Sequence, residues 1–429
     1  MKCYVFAGLA PKKNVTAQMQ RDEFAKQLNL QTNVPDIKAN DWTDLFFLLS
    51  RETKQGRVII LLDEISWMGS KDENFLGKLK NAWELYFKKN PKLILVLCGS
   101  VSSWIEKNIL SSTGFFGRIA YKLTLGELPL QDCNLLLESL GFKRSHFEKF
   151  LILALSGGIP WYIELINAKY SAAENIKKLC FIQDGILVEE FKYIFNDLFG
   201  RRKKICGKIV ECLAKGPKEI SEISKELNYT KSGSLNEYLE DLILAGFISR
   251  DYTWNIKSGD DLKLSKFRLK DNYLRFYFKY IIPKLTKIQR NQFKTRTLSS
   301  LPNWEAIMGL QFENIVLNNR MAIWELLNIK PDEIISDNPF FQRQNLKQPG
   351  CQIDYFIQTK FQTLFACEIK FSAHNIGNDI VEELRTKISK IHLPKGFTCL
   401  PVLIHVNGIT KELENADYFY KIINFSELL

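Results

Sequence analysis

Over the first 130 residues, short apolar runs alternate with stretches in which apolar positions recur every three or four residues. The runs Cys3 to Ala10, Val58 to Leu62 (VIILL), Lys92 to Cys98 (KLILVLC) and, more briefly, Tyr121 to Leu125 predict strands. The periodic stretches Thr16 to Leu28, Trp42 to Arg51 and Asp72 to Lys88 predict amphipathic helices. Such alternation predicts an α/β fold, a parallel sheet with helices on both faces. VIILL and LILVL are apolar at every position, as expected of strands buried on both faces.

The strand Val58 to Leu62 ends abruptly in two carboxylates, Asp63 and Glu64. At the strand tip of a nucleotide-hydrolysing core, the first acid holds Mg²⁺, usually through water, and the second polarises the attacking water. The usual partner is a glycine-rich loop ending Gly-Lys-Ser/Thr, whose amides and lysine cradle the phosphates. The chain contains only Gly77-Lys78 before Leu79 and Gly207-Lys208 before Ile209, neither with the hydroxyl. The neighbouring strand ends in Gly99-Ser100. Ser100 there suits a phosphate sensor, and alone it equally suits a helix cap.

With 429 residues, 46% of them apolar, the chain is long enough for about three domains with real cores. The formal charge of +11 makes an acidic polymer such as DNA a fitting partner, no more so than a merely basic surface. Nine scattered cysteines without a C-x-x-C pair read as buried thiols of a reducing cytoplasm. No apolar run approaches the ~18 residues of a membrane span. His146, His374, His392 and His405 show no metal-ligand spacing and read as surface or packing residues.

From Gly216 to Asp251, Ile220, Ile223 and Leu227 make one short apolar face, and Leu235, Leu239, Leu242 and Ile243 the next, closed by Gly246. This is the spacing of a winged helix-turn-helix, preceded by a helical run from Ile205 to Leu213. A DNA-reading role would put Thr230, Lys231, Ser232, Ser234 and Asn236 near the major groove. Glu237, Glu240 and Asp241 on the same helix repel phosphate, which favours packing or partner contact. From Phe267 to Ile282, Tyr273, Phe276, Tyr277, Phe278 and Tyr280 interleave with Arg268, Lys270, Arg275 and Lys279. Such a stretch can stack single-stranded nucleic acid, but a packed helix with snorkelling bases is the commoner outcome. Lys284 to Leu301 reads as a linker.

CQIDYFIQ (Cys351 to Gln358) and TLFACEIKF (Thr363 to Phe371) predict paired strands. Period two sends Phe365, Cys367, Ile369 and Phe371 to one face, and Glu368 and Lys370 to the other. Asp354 joins them from the first strand, and Glu313 reaches in from a helix predicted over Trp304 to Asn318. The set is similar to the PD-(D/E)XK nuclease pattern, which implies Asp354 and Glu368 as Mg²⁺ ligands, Lys370 positioning water or stabilising the transition state, and Glu313 as an auxiliary acid. Ile353 stands where the motif has proline. A solvated salt-bridge face gives the same residues with no chemistry.

Taken together, the chain resembles the prokaryotic, archaeal-type AAA-like ATPases of the signal-transduction NTPase class, which carry a helix-turn-helix and a C-terminal domain of unknown function. The matching residues are Asp63-Glu64, Ser100, Gly117-Arg118, Leu155 to Trp161 (LSGGIPW), the block RLKDNYLRFYF from Arg268 to Phe278, and Glu313 in QFENIV. The resemblance implies a P-loop-type parallel sheet lacking its first strand and phosphate loop (1–130), a helical lid (131–200), a winged helix (201–283), a linker (284–302) and a restriction-nuclease-like α/β domain (303–429). It implies ATP and Mg²⁺ as cofactors, with Asp63, Glu64, Ser100 and Arg118 at the nucleotide. In the family the absent strand lies mid-sheet, so the expectation is an internal start at Met1 or a truncated remnant with impaired ATP turnover. The expected function is a DNA-related ATPase whose nucleotide state controls a Mg²⁺-dependent nuclease-like domain, with or without a protein partner or self-assembly. The alternative is a non-catalytic DNA- or protein-binding regulator.

Overall fold

Three strands, β1 (Lys2–Ala7), β2 (Val58–Asp63) and β3 (Leu93–Leu97), pair in parallel in that order. They belong to the first of two compact units, Met1–Thr124 and Leu125–Leu429. The computed structural model describes residues 1–10, 14–35, 37–100, 102–199, 202–229, 232–293, 297–344, 346 and 348–429.

In the first unit α1 (Ala17–Gln31), α2 (Trp42–Glu52) and α3 (Phe75–Leu85) follow the predicted order. Thr16 and Asp41 cap the first two helices by accepting the amides of Met19 and Thr43. The third begins at Phe75 rather than Asp72, because the Asp72 carboxylate accepts the Asn74 amide and makes a turn of the expected first helical residues. Tyr4, Phe6, Val58, Ile60, Leu62 and Leu93 face the core with Phe24, Trp42, Phe46 and Phe75. Phe6 stacks on Phe24 at 4.2 Å, and Trp42 stands edge-on to Phe75 at 4.8 Å.

Three glutamines of α1 close the outer edge of β1. The amides of Gln31, Gln27 and Gln20 each donate to the carbonyl and accept from the N–H of Val5, Ala7 and Leu9 in turn, at 2.8–3.1 Å. The helix thus does for β1 what another strand would do.

Two expectations fail in this sheet. The register puts Val5, Leu61 and Val96 side by side, with Ile59 and Ile94 one step away. On that face Val5, Ile94 and Val96 are 44%, 46% and 39% exposed, so the strands are not buried on both sides. Tyr121 to Leu125 forms no strand, and Tyr121, Leu123 and Leu125 are exposed. Local pattern gave these residues strand character, but a strand exists only where a neighbour accepts its hydrogen bonds.

In the second unit the helices α4 (Leu130–Ser139), α5 (His146–Ser156), α6 (Ala172–Cys180) and α7 (Ile186–Phe199) come first. Three more, α8 (Lys203–Leu213), α9 (Ile220–Glu226) and α10 (Ser232–Leu244), lead into the antiparallel hairpin β4 (Ile248–Trp254) and β5 (Asp261–Leu269). Gly246, at φ +81°, ends α10 as expected. The short helix α11 (Asn272–Phe276) follows, and α12 (Trp304–Asn318) precedes a five-stranded sheet. Its order is β10 (Lys421–Asn424), β9 (Thr398–Val406), β8 (Thr363–Phe371), β7 (Cys351–Thr359), β6 (Ile334–Gln342). β6, β7 and β8 form an antiparallel meander, and α13 (Asp379–Ser389) crosses from β8 to the parallel β9.

A large apolar core runs from Leu130 to Phe425, while α13 and the other face of the five-stranded sheet pack in two smaller clusters around Phe356 and Leu384 and around Ile380 and Leu403. The expected linker is part of the large core, since Ile288, Phe293, Leu298 and Leu301 are buried there. The rings of Tyr273, Phe276, Tyr277 and Tyr280 are buried too, so they offer no stacking surface to nucleic acid. Nor do the arginines of that block snorkel. Arg275, 1% exposed, donates to the carbonyls of Leu269 and Leu310 and to Gln311 Oε1, at 2.7–3.0 Å. Arg268 donates to Asp251 and to Asn314.

Leu155 to Trp161 is a packing joint. Gly157 adopts φ +56°, and a Cβ on Gly158 would meet Leu128 O at 2.5 Å, where the Leu128 amide donates to Gly158 O at 2.7 Å. Gly158→Ala should therefore destabilise the second unit by about 2–4 kcal/mol in urea unfolding. Burial raises the Asp271 carboxyl to about 7 while it caps α11 through the Leu274 amide at 2.7 Å. An acid raised in the fold stabilises fully below the unfolded value near 4, and that stability is lost as pH rises to about 7. Asp271→Asn, which keeps the cap, should match the wild type at pH 4 and be more stable at pH 7.5 by about 2–4 kcal/mol, read from melts at the two pH values.

Candidate functional site

The acidic tip of β2 is held from both sides. The Gly8 amide donates to Asp63 O at 3.1 Å, and the Ile65 amide to Cys98 O at 3.0 Å. Gly8 is needed at this point, because a Cβ there would lie 2.8 Å from Glu64 O. Asp63 accepts the Glu64 amide at 3.0 Å. Glu64 sits in the left-handed region at φ 49°, ψ 47°, a conformation costly for a residue with a Cβ. Its carboxylate accepts the Ser100 hydroxyl at 3.1 Å. Partial desolvation, and then Asp63, push the thiol of the exposed Cys98 upward.

Asp63, Glu64 and Ser100 thus come together as expected. Arg118 does not join them. It pairs with Glu84 at 2.6 Å and with the Phe116 carbonyl, and Glu84 is held below its usual carboxylate value by Lys88 and then Arg118. A groove of about 500 Å³ in the same unit is lined by Leu76, Lys80, Lys107, Ser112 and Phe115, away from the acidic pair.

Of the residues expected at a DNA groove, Thr230 and Lys231 lie outside the described residues, as does the Ser232 side chain. Ser234 is half-buried and Asn236 exposed on α10. Asp241, buried, is paired with Arg202, which removes its charge from the outer face.

The densest ionic cluster lies on the C-terminal sheet. Asp354, one step past the last β7–β8 ladder pair Tyr355↔Cys367, accepts the Ile369 amide with Oδ2 at 3.0 Å. Glu368, 1% exposed, points the other way from Cys367 and Ile369 and meets two lysines. Lys387, from α13, lies 2.6 and 2.7 Å from its two oxygens, and Lys370 lies 3.0 Å from Oε1. Glu383 closes the ring, 3.1 Å from Lys370 and 3.2 Å from Lys387. Two carboxylates and two ammoniums therefore alternate around a closed circuit.

Asp354 and Glu313 add negative charge to this balanced ring. Burial first, and then Glu313, raise Asp354 to about 6; burial and then Asp354 raise Glu368 to about 7. Burial also raises Glu313, with Glu368 adding to it and Arg275 and Arg268 opposing. For Glu383, burial works upward but Lys370 and Lys387 hold it below the usual range. Both lysines are pushed upward against the effect of burial, Lys370 by Glu368 and Lys387 by Asp354 and Glu368.

The sequence reading placed Glu313, Asp354, Glu368 and Lys370 but missed Lys387 and Glu383. Their i, i+4 spacing on an amphipathic helix was visible, yet it reads as any surface ion pair until the helix is laid across β8. As arranged, the cluster does not fit a resident Mg²⁺. Mg²⁺ needs carboxylate oxygens at about 2.0–2.1 Å, whereas both oxygens of Glu368 are taken by ammonium. Among the described residues no three His, Cys, Asp or Glu side chains are placed to hold a metal ion. Nor is any described helix long and apolar enough to cross a membrane. His405, opposite Lys370 on β9, is buried and burial holds it below the usual imidazole value, a packing residue as expected.

No family model matches the chain. The uncharacterized protein MJECL04 of Methanocaldococcus jannaschii is 25% identical over 280 residues, 64% of this chain and 58% of that protein. The chain therefore spans less than two thirds of the length of the curated relative it matches. Among solved structures, the Walker-type ATPase PABY2304 of Pyrococcus abyssi superposes with a TM-score of 0.50 at 14% identity, over 65% of this chain and 84% of that one. The Aeropyrum pernix ORC1 protein in complex with DNA reaches only 0.32 at 12% identity, over 70% and 79%, too low to carry weight. The chain is thus mixed α/β with a parallel sheet, similar in fold to that Walker-type ATPase.

Replacing Glu64 by glycine should relieve the left-handed strain and raise the stability of the first unit by about 0.5–1 kcal/mol in urea unfolding. Glu64→Ala, which keeps the strain and loses the Ser100 bond, should not stabilise.

Proposed function

We propose that this protein is a DNA-related member of the ATPase-fold proteins in which the C-terminal cluster, as arranged here, serves binding and control rather than cleavage. The single observation that carries the reading is the closed Glu368–Lys387–Glu383–Lys370 ring on a sheet whose order of elements, helix, three-stranded meander, crossing helix and parallel strand, suits a restriction-nuclease-like domain. Support for a nucleic-acid partner comes from the charge of +11 and from three helices followed by a hairpin, the order of a winged helix.

At the first unit, Asp63, Glu64 and Ser100 suit the metal end of Mg²⁺–ATP, which would supply the activated phosphate. No Gly-Lys-Ser/Thr loop occurs in these 429 residues, and without such a loop the phosphates have no preorganised cradle. A second reading, a Mg²⁺-dependent nuclease, is favoured by the excess negative charge that raises Asp354 and Glu368. It requires Lys387 to leave Glu368.

Fluorescence anisotropy with labelled duplex DNA tests the reading. Binding should be salt-sensitive, with a log–log slope corresponding to several phosphate contacts, and no Mg²⁺-dependent cleavage should accompany it. Absence of binding at micromolar protein and low salt would sink the DNA-related reading; cleavage by the wild type, lost in Glu368→Ala, would replace it with the nuclease.

A further inference from the structure

The ring at Glu368 has the form of a metal site filled by a side chain. A divalent cation on two carboxylates of adjacent strands would use Glu368 and Asp354, whose positions follow each other across the end of the β7–β8 ladder. The Lys387 ammonium instead grips both oxygens of Glu368 at 2.6 and 2.7 Å. An ammonium held on both oxygens competes with a metal ion for them, because the two cations repel at that separation and the ammonium occupies the space a metal would need.

Lys387 and Glu383 reach the ring from α13, whereas Glu368 and Lys370 stand on β8 in the middle of the sheet. Glu383, one turn earlier on α13 and 44% exposed, already holds Lys387 at 3.2 Å. It offers the ammonium a nearer-to-solvent partner. If Lys387 moves over to Glu383 alone, Glu368, Asp354 and Glu313 are left as a buried group of carboxylates with only Lys370 beside them. Buried carboxylates in excess of their counter-ions demand either protons or a cation.

We infer that Lys387 is a built-in counter-ion that stands in for a divalent cation, closing a latent metal site at Asp354 and Glu368 until its ammonium is displaced. The inference rests on reading the C-terminal sheet as a nuclease-like domain, and it makes Lys387 a positioning residue rather than a catalytic one.

The test uses the full chain and Mn²⁺ alone, counted by electron paramagnetic resonance of the free ion. Lys387→Gln should bind one more Mn²⁺ per chain than the wild type, with an affinity at that site about tenfold or more above any the wild type shows. That extra site should vanish in Glu368→Gln/Lys387→Gln, and Lys387→Arg, which keeps the cation, should behave as the wild type. If Lys387→Gln fails to give a cooperative melt, Lys387→Met keeps the apolar stem and reads the same quantity. An extra site absent from both folded variants would overturn the inference, as would a Glu368-dependent Mn²⁺ site of equal affinity in the wild type. DNA binding by the wild type is measured separately, so loss of the DNA-related reading and loss of the lysine stand-in are distinguishable.

Discussion

The second unit is built around a buried guanidinium. Arg275 lies in the apolar core, where an unpaired charge would be prohibitive, and it is tolerated because the carbonyls of Leu269 and Leu310 and the side chain of Gln311 surround it. The network spreads from there. Gln311 donates to Ala154 O and Asn272 O, Asn314 to Leu269 O, Lys270 O and Asn272 Oδ1, and Asn272 to Leu153 O and Gln311 O. Helices α5 and α12, strand β5 and helix α11 are therefore tied to one another by directional bonds inside a core that apolar contact alone would leave free to slide. The residues of the RLKDNYLRF and QFENIV motifs are this network, so the motifs serve architecture first.

That anchoring sets the position of the ionic cluster. α12 is fixed by Gln311 and Asn314, one turn that also carries Glu313, and α12 packs on β8, the strand of Glu368 and Lys370. The charge of Glu313 is thereby held close enough to the sheet to raise Asp354. Lys387 and Glu383 reach the cluster from α13, which is itself anchored by the buried Ile380, Val381 and Leu384.

The first unit solves a different problem, the free edge of a small parallel sheet. Gln20, Gln27 and Gln31 supply the missing partner for β1, each amide matching one N–H and one C=O at a spacing set by alternate residues of the strand. The opposite face, with Val5, Ile94 and Val96 exposed, shows that parallel strands with apolar residues on both faces need not be covered on both within the described residues. The acidic pair survives at the strand tip because Gly8 and Ser100 accommodate the left-handed Glu64.

Much of this was legible in the sequence. Period two fixed which face of β8 carries Glu368 and Lys370, the 3.6-residue period located α1 and α2, helices were also expected where α8 and α12 stand, and the abrupt end of VIILL in two acids marked the strand tip with Ser100 as its neighbour. These are properties of single elements, encoded by residues a few positions apart. What depended on pairing between distant segments was decided by tertiary structure: that Tyr121 to Leu125 finds no strand partner, that Lys284 to Leu301 packs into the core, that Arg118 turns to Glu84, that Arg268 and Arg275 are buried, and that Lys387 closes on Glu368. A side chain's local pattern specifies the face it occupies, but its charge partner and its burial are fixed only when two remote elements meet, since Coulombic and desolvation energies depend on distance in space and not along the chain.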